Sequence, residues 1–151
     1  MEVNSGAGQG LGKAKQMTKP ALPATSHFDA LSKHDLMALC DRLLLQDAEA
    51  TAQCVAFMEA ETFGVGHGRA RAKMSRRLKH CGLTAAQQVR LVRAVLVRLA
   101  SGRFSEQFKD QLRLALHLDP ASAFAMAQSC RRSPQEYVRR YAAWVLAHQE
   151  P

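Results

Sequence analysis

Signals for starting a helix recur through this 151-residue chain, and apolar positions three and four residues apart lie between them. Ser32 and Asp35 form a capping pattern, after which Leu36, Leu39, Leu43 and Leu44 repeat at helical spacing. Asp47 is the next candidate N-cap, with Glu49 in the first turn and Ala52, Val55, Ala56 and Phe63 as the periodic face; Gly64 is the expected stop. Thr84 and Gln87 pair three residues apart and open a helix from Ala85 to about Ala100, with a broad apolar half of Val89, Leu91, Val92, Val95, Leu96 and Leu99, closed by Gly102. Ser105 is positioned to cap a helix to about Leu118. Asp119-Pro120 and Ser133-Pro134, fourteen residues apart, each place Pro at a first helical position.

Residues 1–26 differ from all this. They are rich in Gly and small polar residues, carry Pro20 and Pro23, and read as a disordered basic leader ahead of a single domain over residues 27–151. In the rest of the chain, Ala and Leu outnumber the β-branched residues. The expected class is therefore all-α, with about six helices in consecutive antiparallel pairs, arranged as a short α-solenoid or a compact helical bundle. SPQEYVRRYAAWVL, residues 133–146, resembles the second helix of a HEAT repeat through Ser133, Pro134, Val138, Arg139, Ala142 or Ala143, and Leu146, with the segment from Asp119 to Cys130 as its partner helix. That resemblance implies a HEAT-like helical repeat, a kind of module that binds proteins or nucleic acids.

Charge is distributed as two unlike neighbours. From Phe63 to Phe104 there is no Asp or Glu, against ten Lys and Arg, in a chain whose net charge is +8. Residues 27–62 carry seven acids against Lys33 and Arg42, a balance of 2 − 7 = −5. A helix from about Arg69 to Cys81 would turn Ala70, Met74, Leu78 and Cys81 to one side. Arg69, Lys73, Arg76 and His80 then form a row about 16 Å long on the other, with Arg77 beside it. Arg90 and Arg93 share the exposed side of the following helix, which would extend the patch, while Arg98 lies at that helix's edge.

Little in the chain points to catalysis. The six histidines and four cysteines contain no CxxC, no HExxH and no His pair at i, i+4, so no metal ligand set is expected, and no cofactor. FGVGHG, residues 63–68, is a Gly-rich turn without the Lys and Ser or Thr of a phosphate loop. No apolar run approaches the roughly 18 residues of a membrane span. The scattered cysteines, with no export signal ahead of them, read as reduced thiols in the cytoplasm.

The expected function is thus non-enzymatic binding of nucleic acid, DNA or RNA, or association with it. Arg69, Lys73, Arg76, Arg77 and His80 would meet phosphates, with Arg90 and Arg93 extending the contact. The alternative is a protein adaptor whose basic groove accepts an acidic partner segment. A second contact surface is offered by Tyr137, Tyr141 and Trp144, which share a row on the last helix beside Arg140. The other use of those aromatics is to close the core, and the other use of the basic row is to pair with the acidic half.

Overall fold

The computed structural model describes residues 27–105 and 107–149; the expected leader over residues 1–26 lies outside them. The described residues are helical throughout, without a strand. A helical turn at residues 27–29 precedes α1 (Lys33–Leu44), α2 (Ala48–Glu59), α3 (His67–Leu78), α4 (Ala85–Ser101), α5 (Lys109–Leu118), α6 (Pro120–Cys130) and α7 (Glu136–Leu146). The all-α class holds. Seven helices of ten or more residues stand where about six were expected.

Four of the starts follow local chemistry. Ser32 and Asp35 exchange both bonds of a capping box, as do Thr84 and Gln87. The Asp47 carboxylate accepts from the amides of Glu49 and Ala50 at 2.9 and 3.0 Å, and Asp119 accepts from Ser122 ahead of Pro120. These amide bonds hold the Asp35 and Asp47 carboxyls below the usual carboxylate range, and the Ser122 hydroxyl and amide do the same at Asp119. The helix expected from about Arg69 begins at His67, and two other starts fall later than expected. Ser133 accepts from the Gln135 amide at 3.2 Å, closing a turn, and α7 begins at Glu136. Beyond Ser105, Phe108 packs fully buried on Phe104 with ring centroids 4.1 Å apart, and α5 begins only after it, at Lys109.

The packing also departs from a string of consecutive pairs. α1, α3 and α5 lie against one another as one row, and α2, α4 and α6 as a second. α1–α2, α4–α5 and α5–α6 join the rows, and α7 packs chiefly on α6. Each inner helix therefore has neighbours on more than one side. The core between the rows includes Phe57, Met58, Met74, Leu78, Leu91, Leu99, Phe108, Leu112 and Leu114. Cys40, Cys54 and Cys130 are buried in it as free thiols, and burial pushes Cys54 up to about 12, so it is inert as a nucleophile.

Helix α4 shows how far this arrangement corrects a reading by periodicity. Val89 belongs to the expected apolar half yet is 56% exposed, whereas Leu91 two positions on is fully buried. Leu91→Ala should therefore cost about 2–5 kcal/mol of unfolding free energy, and Val89→Ala no more than about 0.5 kcal/mol, both measured by urea unfolding. Equal costs would contradict this orientation of α4.

Candidate functional site

The basic stretch enters the fold through α3. Its first turn is set by Gly66, which has φ of 82°, and a Cβ there would meet Lys33 Cγ at 2.6 Å. Behind it, His67 is a fully satisfied interior histidine. Its Nε2 faces the Leu31 carbonyl at 3.1 Å and so donates, which leaves Nδ1 to accept from the Thr62 hydroxyl at 2.7 Å. Thr62 in turn accepts from Arg71 Nη2 at 2.5 Å.

Arg71 and Arg98 are buried, at 7% and 4% exposure. Both serve the C-terminal end of α2, which has no basic residue in its own last turn. Arg71 Nη2 donates to the Ala60 carbonyl at 2.9 Å, and its guanidinium lies 4.9 Å from the Phe57 ring centroid. Arg98 Nη2 donates to the carbonyls of Met58 and Ala60, the latter at 3.1 Å, and Nη1 donates to Gln111 Oε1 at 3.2 Å. Two positive charges thus meet the negative end of the α2 dipole. Burial, with the charge of Arg98 beside it, pushes Arg71 down to about 10; burial also lowers Arg98. Neither residue stood out as interior in the charge pattern. The signal was present in the spacing, since Leu91, Val95 and Arg98 fall at i, i+4 and i+7, as Arg71, Ser75 and Leu78 do.

With Arg71 turned inward, the expected row faces out. Arg69, Lys73 and Arg76 line a groove of about 480 Å³ between α1, α3 and the start of α5. Lys33 joins them from α1, a residue the charge count did not single out. Leu36, Met37, Ala70 and Ala72 form an apolar floor. The acid present is Asp110, which accepts from Arg76 Nη1 at 2.7 Å and from Arg113 Nη1 at 3.2 Å. Arg69 has no hydrogen-bond or ion-pair partner among the described residues, and Lys73 Nζ has only a 3.9 Å contact to Met37 Sδ.

The remaining candidates lie elsewhere. Arg77 leans on α1, donating to the Cys40 carbonyl at 2.8 Å and to Asp41 at 3.3 Å. His80 is exposed past the end of α3, and its carbonyl accepts from Gln46. Arg90 makes two bonds to Glu59 of α2, at 2.6 and 3.1 Å. Arg93 lines a separate groove beside α6 with Val89, Val97 and Met126. The acids of residues 27–62 therefore engage Arg77, Arg90, Arg98 and Arg103, and leave Arg69 and Lys73 alone. On α7, Tyr137 donates to the Gly102 carbonyl at 2.8 Å, and both Tyr137 and Tyr141 pack edge-on against Phe104, so these two rings close the core. Trp144 is half-buried beneath Lys109 and Arg113, and Arg140 is exposed.

The chain matches no protein-family model, and comparison with curated proteins and with solved structures returned no match. Among the described residues, no helix is long and apolar enough to cross a membrane.

The two kinds of arginine should separate under mutation. Arg98→Met leaves the Met58 carbonyl and Gln111 without their donor, and the Ala60 carbonyl with Arg71 alone, and should cost about 3 kcal/mol, whereas Arg103→Ala, whose side chain is 68% exposed, should stay within about 0.5 kcal/mol. Guanidinium unfolding of the two variants checks this, and a mild Arg98→Met would contradict the interior role.

Proposed function

We propose that this protein binds the phosphate backbone of nucleic acid through the groove between α1, α3 and α5. Lys33, Arg69, Lys73 and Arg76 are the contacts. The observation that carries the reading is that four cations share one open groove while the acidic half of the chain is occupied with other arginines. Lys33, Arg69 and Lys73, long cationic side chains with no carboxylate partner among the described residues, can follow a phosphate backbone and release its counterions, while Arg76 is shared with Asp110; none carries base-reading geometry of its own. The binding is sequence-tolerant on that account. Arg77, His80, Arg90 and Arg93 would add general attraction from flanking surfaces rather than contacts in the groove. The HEAT-like character of residues 119–148 belongs to the same proposal, supported by the packing of α6 on α7, as does residence in the cytoplasm, where four free thiols are stable.

A second reading is favoured by the groove floor. Leu36, Met37, Ala70 and Ala72 offer apolar contact that a phosphate backbone does not use, and an acidic amphipathic peptide would use both floor and rim.

Neutralising four phosphates predicts a log–log salt slope of roughly −3 to −4 for a generic duplex or single strand. Arg69→Glu with Lys73→Glu should abolish retardation of the oligonucleotide at low salt while leaving the melting temperature unchanged. If the native protein retards no nucleic acid at low salt, the reading fails. Capture of an acidic peptide by the same four side chains would then support the second.

A further inference from the structure

A different cavity, on the other side of the 63–68 turn, presents a charge problem that the basic groove does not. It has a volume of about 410 Å³, within the range of small-ligand sites, and Arg71, Arg98 and Arg103 all line it. Among its described lining residues Glu61 is the acid, half-exposed, with 3.8 Å contacts to Arg98 Nε and Arg103 Nη1. Three guanidiniums therefore share one carboxylate, and two of the three are more than nine-tenths buried. A buried charge in a low-dielectric site is costly unless it is paired. Arg71 has no carboxylate at ion-pair distance among the described residues. Its Nη2 takes both available oxygens, Ala60 O and Thr62 Oγ1; Nη1 has no partner among the described residues, and Nε is a buried donor without an acceptor.

The rest of the lining suits an organic anion. Ser105 and Gln111 supply polar atoms, and Phe104 and Phe63 line it with aromatic rings. Phe63 was expected on the apolar face of α2. Instead α2 ends at Glu59, and Phe63 stands 81% exposed at this cavity. On the side of α3, Gly68 lines the space without a side chain. A Cβ there would meet only Ser105, with Oγ at 3.1 Å, so the opening depends on this glycine.

We propose that this cavity is a binding site for a small organic anion, whose phosphate or carboxylate group pairs with Arg71, Arg98 and Arg103 while its flat apolar part lies against Phe104 and Phe63. Guanidinium groups hold both oxyanions by charge-assisted hydrogen bonds. The site is independent of the basic groove, which lies across the turn and uses Arg69 and Lys73.

Isothermal titration of the full chain at low salt with adenosine monophosphate, benzoate and inorganic phosphate, and with adenosine as the uncharged control, tests the proposal. At least one organic anion should bind and adenosine should not. Binding of the nucleotide alone assigns the ligand to phosphates, and of benzoate alone to carboxylates. Gly68→Leu, which fills the cavity from α3, should weaken the anion about tenfold or more, and Arg103→Ala should weaken it as well without altering the melting temperature. Should Gly68→Leu fail to fold, Arg103→Ala with Ser105→Ala carries the test. Arg69→Glu with Lys73→Glu should leave anion binding intact, even if it abolishes retardation of nucleic acid. The proposal is overturned if neither organic anion binds at millimolar concentration, if adenosine binds as well as its monophosphate, if cavity variants that fold keep full affinity, or if the groove variant loses it.

Discussion

The C-terminal end of α2 has no basic residue in its own last turn, and two guanidiniums from other helices serve it instead. Arg71 comes from α3 and Arg98 from α4, and both donate to the Ala60 carbonyl. Gln111 of α5 completes the set by accepting from Arg98. One unsatisfied helix end thereby gathers four helices, and it does so with polar groups whose geometry is directional. Apolar contact between the two rows supplies most of the stabilisation and turns Ala70, Met74 and Leu78 of α3 inward. The Arg71 bonds hold the same rotation.

That rotation decides which charges meet solvent. Arg69 and Lys73 sit two residues either side of Arg71, about 200° round the helix, so an inward Arg71 sends both of them outward. Arg76 follows to the same side. The basic face of α3 is in this sense the outer side of a helix whose inner side holds Arg71 together with Ala70, Met74 and Leu78. The acids in the first half of the chain contribute by being occupied elsewhere. Glu59 and Glu61 meet arginines of α4 and of the turn after it, and exposed pairs of this kind are worth little in stability. Their larger effect is on the field, because they leave one groove positive.

Local chemistry was the legible part of this fold. Ser32, Asp47, Thr84 and Asp119 cap helices where their side chains could reach amides two or three residues on, and that reach is a property of sequence alone. Ser105 and Ser133 have the same composition but not the same role, since the stacking of Phe104 on Phe108 delays one helix and a turn at Ser133 delays the other. Tertiary partners were not legible. Nothing near Arg71 in sequence announces the Ala60 carbonyl, and nothing near Asp110 announces Arg76, thirty-four positions earlier. The row of Arg69, Lys73 and Arg76 was readable because helical periodicity is local; its companion Lys33 was not, because the packing of α1 on α3 brings it there. The cavity beside the 63–68 turn was hidden for the same reason: its arginines counted as surface charge until the end of α2 drew them inside.

The account depends most on Arg71 and Arg98 being interior donors while Arg69 remains open to a ligand. A ¹H–¹⁵N spectrum of the arginine side chains, recorded at neutral pH with and without an oligonucleotide, measures both at once. Arg71 and Arg98 should show slowly exchanging guanidinium hydrogens that the oligonucleotide leaves in place, while those of Arg69 exchange rapidly in the free protein and shift on addition. Guanidinium hydrogens of Arg71 and Arg98 that exchange as fast as those of Arg69 would contradict the account at its root.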